Sequence, residues 1–340
     1  MDDLMESISN IIIDYADGEF GKLDKEHVER WINQFDEEDR VVVLEETNSI
    51  LQKTYITKES FNGFIGNLIQ NPNFSTTNPI GFWKNISLLN IQRKGNSQSE
   101  LISLLCNKIE EHYSINLTPR INSKSIHYIY LDDFLFSGGR LISDLSLWID
   151  ENAPNKCTIS IVLMGWYKGG HWYVKNKLTE IARDCKKEID FNFWSFEHYR
   201  LENRMRYKDT SDVLWPIAQA MEIPGVKTYI DAQSKPPVFR EYTDIKGNVL
   251  THERRTQYEM AMLKSGLKIL GYCQSPNDVV KPLGYNRFDG FGFGSTIFSF
   301  RNCPNNNPLA YWWGNPNAHD AHPFSKWYPL LQRKTYGSHS

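Results

Sequence analysis

The run Leu131-Asp132-Asp133-Phe134-Leu135-Phe136-Ser137-Gly138-Gly139-Arg140 brings together the residue types that recognise anions and sugars. An apolar stretch ends in two carboxylates, and after four intervening residues the chain turns through Gly138 and Gly139 into an amphipathic segment. Glycines let backbone N–H groups come close to a phosphate, a helix opening at Gly139 adds a favourable dipole, and the Ser137 hydroxyl can donate one more hydrogen bond. Arg140 adds positive charge. Asp132 and Asp133 repel a phosphate but accept hydrogen bonds from vicinal hydroxyls. Phosphate at one end and a diol at the other describe a phosphorylated ribose. A strand end followed by an ordinary glycine turn would account for a bare Gly-Gly, but not for the whole run.

A second loop with anion-binding chemistry is Gln92-Arg93-Lys94-Gly95-Asn96-Ser97-Gln98, where two cations precede a helix start. Ser97 and Glu100 have the spacing of a capping box, which leaves N–H groups exposed beside Arg93 and Lys94. Read alone, such a loop is more often a solvated basic turn; following a strand, the two readings are about even.

Both loops need strands before them and helices after them, and the pattern supplies these. Strands are expected at 86–91, 126–131, 158–165 and 189–196, with helices at 99–113, 139–149 and 171–187. Strands separated by helices imply right-handed crossovers and a parallel sheet covered on both faces, an α/β core. Ligands of such a sheet collect beyond the carboxyl ends of its strands, where both loops fall. Leu141, Leu145 and Trp148 form one helical stripe, and Val174, Leu178, Ile181 and Cys185 another; these are core positions. Before the core, Val28, Trp31, Ile32 and Phe35 mark an amphipathic helix, and 71–79 reads as a loop. Beyond residue 201 the alternation weakens into a segment rich in Gly, Pro, Asn and aromatics, most of all over 285–329. Three regions result: a helical one at 1–80, the core at 81–200, and an irregular α+β lobe at 201–340 lying over the sheet.

Other candidates carry less. Gly290-Phe291-Gly292-Phe293-Gly294 lacks the strand and helix of a dinucleotide loop, and His319, Asp320 and His322 lack a helical metal-site spacing. Residues 166–171 leave another strand end and could border an acceptor pocket, with a packed Gly-Gly turn as the plain alternative. Trp312, Trp313 and Trp327 could stack on a base, although burial is the commoner fate of Trp. The 38 Lys and Arg against 41 Asp and Glu give a formal charge of −3, which excludes a global basic field for nucleic acid. Five scattered cysteines without a CxxC pair fit reduced thiols better than a disulfide framework or a cysteine-based zinc site. The acidic opening Met1-Asp2-Asp3 and the lack of a long apolar run make a cytoplasmic protein, away from membranes, the expectation.

The segment 131–140 resembles the ribose-phosphate-binding motif of type I phosphoribosyltransferases. That resemblance implies that Asp132 and Asp133 hold the ribose hydroxyls and act in catalysis. It implies that Ser137, Gly138, Gly139 and Arg140 bind the 5-phosphate, and that Arg93, Lys94 and Gly95 resemble the pyrophosphate loop. Phe136 and Arg140 stand where the family usually has Thr or Ser, and the hydroxyl missing at 136 bears on catalysis more than on the fold. The segments 27–35, 94–98 and 300–309 are similar to the phosphoribosyltransferase-like branch of bacterial conflict and anti-phage systems. The resemblance implies an effector that binds phosphoribosyl diphosphate or a ribonucleotide, transferring or cleaving at ribose C1. Mg²⁺ would bridge diphosphate and ribose oxygens, with Asp132 and Asp133 nearby, and a defence-system protein or a ribonucleoprotein would be the partner. The competing expectation is a module that senses a nucleotide or phosphosugar without turnover and docks a defence partner. No general base is identifiable.

Overall fold

A computed structural model describes residues 1–92, 97–117, 125–203, 209–241 and 245–334. The chain begins with three helices, α1 (Asp2–Ile11), α2 (Lys25–Ile32) and α3 (Arg40–Thr54), and a two-residue strand β1 (Tyr55–Ile56). In α2 the Asp24 side chain accepts the His27 N–H, while Val28, Trp31 and Ile32 are fully buried, as the apolar spacing predicts. Next come α4 (Lys58–Gln70), α5 (Pro72–Ser75) and α6 (Pro79–Asn85). The stretch 71–79, expected as a loop, therefore contains a short helix and starts another. Its Asn and Pro residues are capping chemistry: Asn71 and Asn78 accept N–H groups of Asn73 and Gly81, with Pro72 and Pro79 at the first helical positions.

The alternating core follows: β2 (Ile86–Leu89), α7 (Ser97–Tyr113), β3 (His127–Leu135), α8 (Gly139–Glu151), β4 (Lys156–Tyr167), α9 (Lys168–Asp184), β5 (Glu188–Trp194) and β6 (Arg200–Leu201). The four longer strands pair in the order β2-β3-β4-β5, all parallel, and β6 extends the ladder beside the end of β4. This is the expected α/β architecture. One face of the sheet, through Tyr128, Tyr130, Ile159, Ile161 and Leu163, packs on Leu141, Leu145 and Trp148 of α8 and Val174 and Leu178 of α9. On the other face His127 meets Ser160 across the strands at 3.0 Å, and β3 reaches α7 through Asp133. Helix α9 starts at Lys168, so Gly169 and Gly170 lie in its first turn and do not form a separate turn.

After Leu201 the described chain is mostly irregular, interrupted by α10 (Val226–Asp231), α11 (Arg255–Leu270), β7 (Phe298–Ser299) and α12 (Leu309–Trp312). The fold groups the chain into two compact units and not three consecutive regions: Met1–Lys58 joins Glu202–Thr335, and Glu59–Leu201 forms the sheet unit. The N-terminal helices belong with the C-terminal segment because side chains clasp it. Tyr328 Oη lies 2.7 Å from the His27 Nδ1, Gln34 exchanges two hydrogen bonds with the Tyr328 backbone, and the Trp31 indole donates to Ala310 O. β1 also pairs in parallel with β7.

Candidate functional site

Strand β3 runs four residues past its expected end, to Leu135, so both acids are still within the pleated strand. Successive strand residues point to opposite faces, and here the two carboxylates diverge. Asp132 shares its face with Tyr130 and turns toward α8, where its Oδ1 is 3.9 Å from Arg140 Nη1. Asp133 turns toward α7, where the Ser97 hydroxyl donates to its Oδ2 at 2.9 Å.

Asp132 is buried, its side chain 9% exposed, and Oδ1 accepts the Asp133 N–H at 2.9 Å. Burial pushes its carboxyl up to about 6; Arg140 opposes the shift, and the Asp133 and Asp144 carboxylates reinforce it. Asp144, on α8, is also buried, and accepts a hydrogen bond from the Tyr130 hydroxyl at 3.2 Å. The sequence reading missed Asp144. Its signal was the i, i+4 spacing from Arg140, which puts both on one helical face.

On the α7 side, Gln98 is the organising residue. It is buried; its Oε1 accepts the Ile91 and Gln92 N–H groups at 2.7 and 2.9 Å, and its Nε2 donates to Leu131 O at 3.0 Å. Gln92 answers by accepting the Gln98 N–H at 3.0 Å. The two ends of the basic loop are thereby closed on each other and tied to β3. Arg93, Lys94 and Gly95 lie outside the described residues. Helix α7 starts at Ser97, and the Ser97 hydroxyl reaches across to Asp133.

Beyond β3, Gly138 has φ +80° and Gly139 opens α8, whose capping residue offers no side chain. The N–H groups of the first helical turn have no acceptor within the helix, which makes this end suited to an anion. Ser137 is exposed, and its hydroxyl makes no hydrogen bond among the described residues. Glycine at 138 also serves packing, because a Cβ there would fall 2.0 Å from Val174 Cγ2 of α9. Gly170 answers the same constraint from α9: its Cβ would fall 1.8 Å from Phe136 O. Phe136, the departure from the expected hydroxyl, packs with ring centroids 5.9 Å from Tyr167 and 6.1 Å from Phe134.

A family model described as PRTase-CE matches residues 28–333. The chain belongs to the PRTase-CE family. The name denotes a phosphoribosyltransferase-like family, in line with the resemblance carried by 131–140 and with the parallel sheet. Comparison with curated proteins and with solved structures finds no match.

Mg²⁺ is what such a family leads one to test against these residues. Asp132 Oδ1 already accepts an N–H and faces a guanidinium, and Asp133 Oδ2 accepts Ser97. Among the described residues no group of three or more His, Cys, Asp or Glu could hold a metal ion. Asp132 and Asp133, each with one carboxylate oxygen so engaged, are the residues that a Mg²⁺ carried on substrate phosphates would approach.

The remaining sequence candidates in this PRTase-CE chain have structural uses. Trp166 is buried and stacked on His171, with ring centroids 4.6 Å apart and 11° between planes, and the Arg200 guanidinium lies 4.9 Å from the Trp166 ring. His319 and His322 each accept a backbone N–H two residues on, from Ala321 and Phe324. Gly292 and Gly294 have positive φ where a Cβ would strike the backbone of Leu283 or Leu214. Trp312, Trp313 and Trp327 are buried, and the Trp312 and Trp327 indoles donate to Asn307 O and Ala310 O. The family-like segments 27–35 and 300–309 are joints of their unit: Cys303 N donates to the Tyr15 hydroxyl, which in turn donates to Gln332 O. No helix among the described residues is long and apolar enough to cross a membrane.

Proposed function

We propose that this PRTase-CE chain binds phosphoribosyl diphosphate, or a ribonucleotide in the reverse direction, at the carboxyl end of β3 and breaks the bond at ribose C1. The observation that carries the reading is the bond from Ser97 to Asp133, which ties the helix start behind the basic loop to the acid at the strand end. The same strand leads directly into the glycine turn at α8. Asp133 and Asp132 accept the ribose hydroxyls, and Ser137 with the N–H groups at Gly139 and Arg140 takes the 5-phosphate. Arg93, Lys94 and Gly95 receive the pyrophosphate. Departure of pyrophosphate leaves positive charge on the ribose, which the acidic strand end stabilises electrostatically. Mg²⁺ carried on the diphosphate supplies further neutralisation of the leaving group. The setting is cytoplasmic anti-phage defence, with a defence-system protein or a ribonucleoprotein as the partner that converts nucleotide chemistry into a response.

A second reading, a sensor without turnover, draws on Phe136. Packed on Tyr167 and Phe134, it offers no hydroxyl to the phosphate. Incubation with phosphoribosyl diphosphate, Mg²⁺ and a panel of nucleobases and nucleotides, read by mass spectrometry, separates the two. New ribosylated products or released pyrophosphate support the transferase; binding without turnover supports the sensor. Absence of both turnover and binding overturns the assignment.

A further inference from the structure

Asp132 and Asp144, both buried, lie on the α8 side of the end of β3, and Asp133, half-buried, lies on the α7 side. A buried acidic cluster calls for a cation, and sites that handle sugar diphosphates commonly use a divalent ion. Here the protein brings a cation of its own. Arg140 Nη1 stands 3.9 Å from Asp132 Oδ1, and Asp144 follows four residues later on the same face of α8. Asp144 is oriented by the Tyr130 hydroxyl at 3.2 Å, and Tyr130 shares the strand face of Asp132. The coupling is mutual. Asp132 is the strongest influence raising the Arg140 pKa, and Arg140 is the strongest influence opposing burial at Asp132.

We propose that Arg140 is the resident cation of the acidic site, a positioning residue that neutralises Asp132 so that a ribose phosphate binds there with little need of Mg²⁺. The inference rests on the ribose reading of the preceding subsection. A guanidinium beside Asp132 repels a metal ion from the same carboxylate, so the two cations are alternatives at that position. The Arg140 side chain is 59% exposed, and its planar guanidinium stays charged while it faces Asp132. Arg140 thus acts through Asp132, in place of the family's usual Thr or Ser at this position.

The test is calorimetric titration of the full chain with ribose 5-phosphate, in EDTA and in Mg²⁺, for the parent, Arg140→Ser and Arg140→Lys. The parent should bind with less than about a threefold difference between the two conditions. Arg140→Ser should lose roughly tenfold or more in EDTA, about 1.4 kcal/mol, and regain most of it with Mg²⁺. Arg140→Lys should restore the metal-independent behaviour, since it returns the charge. A direct Mn²⁺ titration followed by electron paramagnetic resonance should show tighter metal binding to Arg140→Ser than to the parent. Parent binding that collapses in EDTA as far as that of Arg140→Ser overturns the role of Arg140 and leaves the ribose site standing. Equal losses for Arg140→Ser with and without Mg²⁺ overturn it as well, since they mark a structural or phosphate-contact role. No ribose 5-phosphate binding by the folded parent in either condition overturns both the inference and the site.

Discussion

The two compact units reach stability by different routes. In the sheet unit one interior is a continuous apolar layer between β3, β4 and the helices α8 and α9, with the buried carboxylates Asp132 and Asp144 at the end of β3. In the other unit charged side chains are inside. Arg240 and Arg255, both buried, each place a guanidinium nitrogen 2.7 Å from the buried carboxylate of Glu259, and Arg255 also donates to Ser211 O and Val213 O. Asp212, equally buried, accepts N–H groups of Glu202, Asn248 and Val249. A chain with few regular elements leaves many backbone groups without ladder partners, and buried side chains of this kind satisfy them. Periodic structure lets a core be apolar; irregular structure requires polar anchors.

The sharpest way to break this contrast is Glu259→Ala, which strands two buried guanidinium groups. Loss of one partner of a buried pair costs about 3–5 kcal/mol. Denaturant unfolding should show this unit destabilised by that order, and a loss below about 1 kcal/mol would refute the anchoring role. Next in size is a pH effect confined to the sheet unit. Asp132 has its carboxyl raised from 3.8 to about 6, so the folded state holds the proton more tightly than the unfolded chain does. Its contribution to stability is therefore greatest below about pH 4 and is lost as pH rises through about 6, on the order of 2–3 kcal/mol in total. Asp132→Asn should flatten the stability slope between those values; an unchanged slope would locate the titration elsewhere.

A third test is Asp133→Asn, which keeps size and removes the anionic acceptor at a half-buried strand end. Melting should change little, whereas ribose 5-phosphate affinity should fall by about 1.5–3 kcal/mol, measured by calorimetry. Gly138→Val should act in the opposite sense, on folding first. The added side chain meets Val174 at a backbone φ of +80°, a strain of about 1–3 kcal/mol visible in a thermal melt without any ligand. The smallest effect belongs to Ser97→Ala: losing its bond to Asp133 should cost about 0.5–1.5 kcal/mol of ligand affinity and less in stability. If the melting change exceeds the affinity change, Ser97 is a fold residue and not a site residue.

The sheet unit was legible because its signals are local and periodic: the apolar strand 126–131, the stripe Leu141, Leu145, Trp148 and the glycine turn all read along the chain. The strand's extension through Asp132 to Leu135 was not legible, since Asp is a poor strand former and the register against Leu163, Gly165 and Trp166 overrides that preference. Gln98 was invisible for another reason. Its role comes from meeting Ile91, Gln92 and Leu131 at once, which no spacing announces. The same holds for Arg240 with Glu259 and for His27 with Tyr328, partners distant in sequence whose types alone suggest surface positions. Phe136 was legible as a departure, and its packing on Tyr167 supplies the physical reason.

One consequence of the unit boundaries concerns synthesis. Glu59–Leu201 is nested between the two stretches that make up the other unit, Met1–Lys58 and Glu202–Thr335. The sheet unit has all its strands once residue 201 has left the ribosome, whereas the helices at the N-terminus must wait for Tyr328 and Leu330, the hydrogen-bond partners of His27. At about 5–20 residues per second, the 129 residues from 201 to 330 take roughly 6–26 seconds. For that time Val28, Trp31 and Ile32 have no completed core, so a segment made before the sheet unit is secured only after it.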